Sequence, residues 1–133
     1  MDYYIEAGAR DKRLIKTLLP SMVAQLKLAN SRYLLYIKVD KDEEHAGQTV
    51  PLFGVDTILV VLRATRDKVD MGITLAHELT HVAQFAKGIL KLTPKGKKWR
   101  GKFYSQNVAY LQQPWELQAF ARQEIIFRRA IND

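Results

Sequence analysis

The strongest constraint on how this chain can fold is the segment His77-Glu78-Leu79-Thr80-His81, which lies in the middle of an apolar-periodic run from Asp70 to Lys87. Ile73, Leu75, Ala76, Leu79, Val82, Ala83 and Ala86 recur at helical steps with no proline between them, so the run predicts a helix. Asp70 is the expected N-cap and Gly88 the expected stop. On such a helix His77 and His81 share one face, about one turn apart, and both imidazoles can reach a single ion. Glu78 is rotated by about 100° from His77. It can therefore approach an attacking water without ligating the ion itself. This is the chemistry of the HExxH pattern: two neutral imidazoles for zinc and a carboxylate as general base.

Cysteine is absent, which excludes disulfides, thiolate metal sites, iron–sulfur clusters and a cysteine nucleophile. Any metal must be held by His, Asp or Glu. With 133 residues, 47% hydrophobic and 26% charged, the chain suits one folded domain, residues 1–133, with little room for a second. No basic region followed by an apolar stretch opens the sequence, and no apolar run approaches the roughly 18–20 residues that span a bilayer. A cytoplasmic protein with no membrane partner is the expectation.

Upstream of the central helix, Leu14, Ile15, Leu18, Leu19, Met22, Val23 and Leu26 mark an amphipathic helix within Arg10–Asn30, which Pro20 should kink or divide. Arg32–Val39, Val50–Phe53 and Asp56–Leu62 read as three strands, rich in aromatic and β-branched residues and broken by the polar loop KDEEHAGQ and by Gly54. Residues 89–105 suggest a hairpin or irregular excursion turning at Pro94–Gly96. A final helix should begin at Pro114, since proline suits the first helical position, with Leu117, Phe120, Ala121, Ile125 and Phe127 facing inward. The expected class is α+β, with a small, mostly antiparallel sheet.

A catalytic zinc takes three protein ligands and keeps one position open. Glu116, in the first turn of the final helix within PWELQAF, is the leading third ligand, because a carboxylate there is favoured by the helix dipole. Glu124, two turns deeper, and His45, in the polar loop, are the alternatives. For stabilising an oxyanion, Tyr110 comes first, followed by Tyr104 and Arg100. Trp99 and Trp115 read as core or cleft-wall residues.

HELTH followed by a later E-x-[EQ]-A resembles the gluzincin class of metallopeptidases, and HELTHVAQ, W-x-G-K-x-Y at Trp99–Tyr104, Tyr110 and PWE-x-Q-A are similar to small zincin-like proteins of phages and bacteria. The resemblance spans roughly residues 70–125. It implies a minimal zincin-like domain in which His77, His81 and Glu116 bind zinc and Glu78 is the base, with a peptide or protein as substrate. In the larger families an Asp that steadies a zinc-binding histidine follows the E-x-x-A motif, where this chain has Phe120; another group must then orient the ligand. By the same analogy, DTILVVL is the expected edge strand for pairing with an extended substrate.

The net charge is +7, and between Lys87 and Lys102 there are seven Lys or Arg and no acidic residue. That stretch is either a solvated loop or a surface for nucleic acid, an acidic protein or an anionic membrane. Two functions follow: a zinc metallopeptidase, or a binding and regulatory protein that uses the basic stretch.

Overall fold

A computed structural model describes residues 1–133. The chain begins with a short strand, β1 (Tyr3–Glu6), followed by helix α1 (Ala9–Gln25) and strands β2 (Leu34–Asp40), β3 (Gly47–Leu52) and β4 (Thr57–Arg63). Helix α2 (Lys68–Ala86) carries the HELTH segment. Three short strands follow, β5 (Leu90–Thr93), β6 (Gly96–Trp99) and β7 (Lys102–Ser105), and a 3-10 turn at Tyr110–Gln112 leads into helix α3 (Pro114–Asn132). The class is α+β, and no helix is long and apolar enough to cross a membrane.

The first four strands form one sheet in the order β1-β2-β4-β3, and here the expected mostly antiparallel pairing does not hold. β1 runs parallel to β2 and β2 parallel to β4, leaving β3–β4 as the antiparallel pair. The cause is connectivity. α1 forms the crossover between β1 and β2, and the chain then loops outward through residues 41–46 to build β3 at the edge, so that β4 returns between β3 and β2. DTILVVL is consequently an internal strand with both hydrogen-bonding edges occupied, and the edge beside α2 belongs to β3. β1 gives almost no sequence signal, because only Ile5 of its four residues is buried.

The register sets which face meets the helices. Ile5, Leu35, Ile37, Ile58, Val60 and Leu62 share one side of the pleat and join a core with residues of all three helices. Gly47, Thr49 and Pro51 of β3 lie on that same side, opposite Leu62, Val60 and Ile58. The other side is mixed: Leu59 and Val61 stand beside Tyr36 and Lys38, the Tyr36 hydroxyl donates to Glu6 Oε1 at 2.7 Å, and the Tyr4 and Tyr36 rings lie 5.2 Å apart.

α1 runs through Pro20 without a break, so the proline does not divide it, and Leu18, Leu19 and Met22 are buried on either side. α2 begins three residues earlier than Asp70 suggests. Its N-cap is Asp67, whose carboxylate accepts from Val69 N and Asp70 N. At the other end Gly88 (φ +71°) donates to Phe85 O while Ile89 donates to Gln84 O, the paired bonds of a Schellman stop. α2 and α3 approach closely, since a Cβ on Gly72 would stand 2.2 Å from the Phe127 ring.

α3 starts at Pro114 as expected, but its buried face is Trp115, Ala119, Ile126, Phe127 and Ala130. Leu117, Phe120, Ala121 and Ile125 are exposed, so α3 carries two apolar stripes, and the core takes the one that includes Trp115. The excursion at 89–105 is a regular three-stranded antiparallel meander, β5-β6-β7, turning at Pro94 and Lys95. Leu90, Trp99 and Trp115 form a small second core beneath it.

Candidate metal centre

His77 and His81 project from the middle of α2 toward the first turn of α3. Both are almost fully buried, at 7% and 6% exposure, on a helix surrounded by core leucines. Glu116 projects from the facing helix because Pro114 fixes where α3 begins. Its Oε1 lies 2.9 Å from His77 Nε2 and 3.1 Å from His81 Nε2. Three ligand atoms thus converge within 4.8 Å of one another. Around a tetrahedral zinc with bonds near 2.0–2.2 Å, ligand atoms stand about 3.3 Å apart. The two nitrogen–oxygen distances need to open only by a few tenths of an ångström to reach that spacing, and the nitrogen–nitrogen–oxygen donor set suits zinc.

Each imidazole is also held from behind. His81 Nδ1 lies 2.8 Å from Gln84 Oε1, and His77 Nδ1 lies 2.8 Å from Gln123 Oε1. The Gln84 orientation is fixed, because its amide nitrogen donates to Trp115 O at 3.0 Å and to Gln118 Oε1 at 2.9 Å. Its oxygen must therefore face His81. Nδ1 then carries a proton, and once Nε2 gives up the proton it shares with Glu116 the neutral imidazole presents the Nε2 lone pair to a metal. Two glutamines thus do the orienting that the resemblance assigns to an aspartate. Phe120, at the position of that aspartate, packs its ring edgewise on His77 with centroids 4.7 Å apart.

Glu78 lies beside this cluster, 5% exposed, and accepts a hydrogen bond at 2.8 Å from the Thr49 hydroxyl of β3. Burial pushes its carboxyl above the usual range, and the nearby histidines and the Thr49 bond offset only part of that. A carboxylate with raised proton affinity is better matched to accepting a proton near neutral pH. Glu116 behaves oppositely. Its burial is outweighed by hydrogen bonds from His77 and His81, which hold it well below the usual carboxylate range.

Tyr110, in the 3-10 turn ahead of α3, donates its hydroxyl to Glu116 Oε1 at 3.1 Å. Partial burial and then the negative charge of Glu116 push its pKa up to about 12, so it stays a donor. A cavity of about 670 Å³ opens over the cluster, and Glu78, Tyr110, Phe120 and the β3 residues Gly47 and Thr49 line it.

The other sequence candidates fall elsewhere. His45 reaches the cavity rim on an exposed loop, outside the three-ligand cluster. Glu124 is exposed and lies 3.8 Å from Arg128. Tyr104 packs at right angles on Trp115, Arg100 lies over Trp99, and neither lines the cavity. Sequence reasoning missed Gln84, Gln123 and Thr49. The two glutamines had a readable signal: Gln84 follows His81 by three residues and Gln123 follows Glu116 by seven, which are same-face helical spacings. Thr49 had none, since only the β3–β4 register turns it toward Glu78.

No family model, no curated protein and no solved structure matches the chain.

Proposed function

We propose that the chain is a zinc-dependent peptidase of the gluzincin type, with a zincin-like arrangement in which His77, His81 and Glu116 hold the metal. The observation that carries this reading is the convergence of two histidines on α2 and a carboxylate on α3, with an unligating glutamate beside them. When bound, zinc would supply a Lewis acid for the scissile carbonyl and acidify the attacking water. Glu78, steadied by Thr49, accepts the water's proton and passes it to the leaving amine. Tyr110 donates to the oxygen on which negative charge develops. The extended substrate pairs with the outer edge of β3, the strand next to α2, in place of the buried β4.

The test is a pair of variants. Wild-type protein should contain one equivalent of zinc, and Glu116→Ala should bind it far more weakly. Glu78→Gln should keep the zinc while losing about 100- to 10,000-fold in peptide cleavage. Undiminished cleavage by Glu78→Gln, or undiminished zinc in Glu116→Ala, refutes the assignment.

A further inference from the structure

The basic stretch 87–102 is not one surface. In the meander, Lys91 and Lys98 are cross-strand partners on the outer face, whereas Lys97 shares its face with Leu90, Trp99 and Tyr104. That inner face packs on Trp115 at the start of α3. Lys97 consequently lines the same cavity as His77, Glu78 and Glu116.

Its ammonium lies 5.1 Å from the Trp115 ring centroid and has no hydrogen-bond or ion-pair partner in the protein. The ring attracts the cation and fixes its position, but carries no charge to neutralise it. In the same ring, the buried Trp115 Nε1 is a donor without an acceptor. The only carboxylates lining the cavity are Glu78 and Glu116. A bound dication would balance both, and Lys97 then leaves the cleft with one positive charge in excess.

We infer that Lys97 selects substrates by receiving a carboxylate in this cleft: an acidic side chain near the scissile bond, or the substrate's own C-terminus. The inference rests on the peptidase reading for the identity of the substrate as a peptide. The half-buried position of Lys97 makes such a contact stronger than a fully solvated ion pair, and its anchoring by Trp115 reduces the freedom lost on binding. Lys91 and Lys98 face away from the cavity and contribute only to the general attraction of anions.

The test uses zinc-loaded Glu78→Gln protein, so that peptide is not consumed, and fluorescein-labelled peptides in matched pairs. One pair exchanges Glu for Gln beside the scissile bond; the other exchanges a free C-terminal acid for its amide. Anisotropy should show the acidic member of at least one pair binding roughly 10-fold more tightly. Which pair responds identifies the source of the carboxylate. Adding Lys97→Met should reduce the ratio to near one, Lys97→Arg should keep most of it, and Lys97→Glu should reverse it; zinc content checks that each variant is intact. Equal binding of both members of both pairs, or a preference that survives Lys97→Met, overturns the inference. If the preference holds while the wild-type protein cleaves none of these peptides, the hydrolase reading fails and carboxylate recognition stands.

Discussion

Gly47 lies directly against Glu78: a Cβ on Gly47 would stand 2.8 Å from Glu78 Cγ and 3.0 Å from Oε2. The edge strand can therefore approach the helix at Glu78 itself only because this residue lacks a side chain. Glu78 Cγ is close to the helix backbone and has little freedom to give way. Gly47→Ala should displace the carboxylate, lowering kcat/KM by about 10- to 100-fold with zinc content retained. Steady-state kinetics alongside metal analysis would check this, and an unchanged kcat/KM would show that the contact does not position Glu78.

Gln84 and Gln123 should matter for the metal and only indirectly for the chemistry. Replacing either with Leu removes the acceptor behind one imidazole, which should weaken zinc binding by roughly 10- to 100-fold. Gln84→Leu should be the worse of the two, because that amide also ties α2 to Trp115 O and Gln118 on α3. Competition with a chromophoric chelator measures both. Wild-type affinity in the two variants would mean that the glutamines are bystanders.

The helices and the two-histidine face were legible in the sequence because helical periodicity is local: α2, the start of α3 at Pro114 and the stop at Gly88 all follow from nearby residues. The sheet was less so. Whether β4 pairs parallel or antiparallel depends on where β3 folds, and nothing in either strand states that. DTILVVL is the expected edge by analogy alone, and the edge passes to Gly47–Leu52 once the chain loops outward at 41–46. On α3 the difficulty was of another kind. Two apolar stripes compete, and Leu117 and Ile125 are as apolar as the buried set, so the choice rests on packing against Gly72 and Leu90 that periodicity does not encode.

Metal-free protein should be sensitive to pH near neutrality. Burial disfavours charge on His77, yet its hydrogen bonds to Glu116 and Gln123 and the neighbouring carboxylates outweigh this and raise its pKa above the ordinary 6.5. A histidine raised on folding stabilises the fold below its unfolded pKa, and that contribution is lost as pH rises through the folded value. Glu78, a carboxyl whose pKa is raised, has the same sign. Glu116, depressed on folding, contributes above the ordinary 4.5 and loses that contribution only as pH falls through its folded value. Thermal melts of the metal-free protein should accordingly be highest around pH 5–6 and decline toward pH 8. Glu116→Gln should flatten the decline. Because zinc requires neutral imidazoles, its stabilisation should grow over the same interval. A metal-free Tm that rises from pH 6 to pH 8 would contradict the assigned His77–Glu116 pairing.

His81 and Glu116 are 35 residues apart in the chain yet 3.1 Å apart in space, and the whole β5–β7 meander is strung between them. An ion shared by these two residues would act as a clasp, turning that length of polypeptide into a closed ring. Sealing a ring of this size by a covalent cross-link removes about 3–4 kcal/mol of disorder from the unfolded chain on the chain-entropy model. The sequence has no cysteine with which to make such a cross-link. Stripping the metal would then loosen more than the cleft: α3 and the meander would lose their tether to α2, and the Lys97-bearing wall of the cavity would lose its anchorage with them.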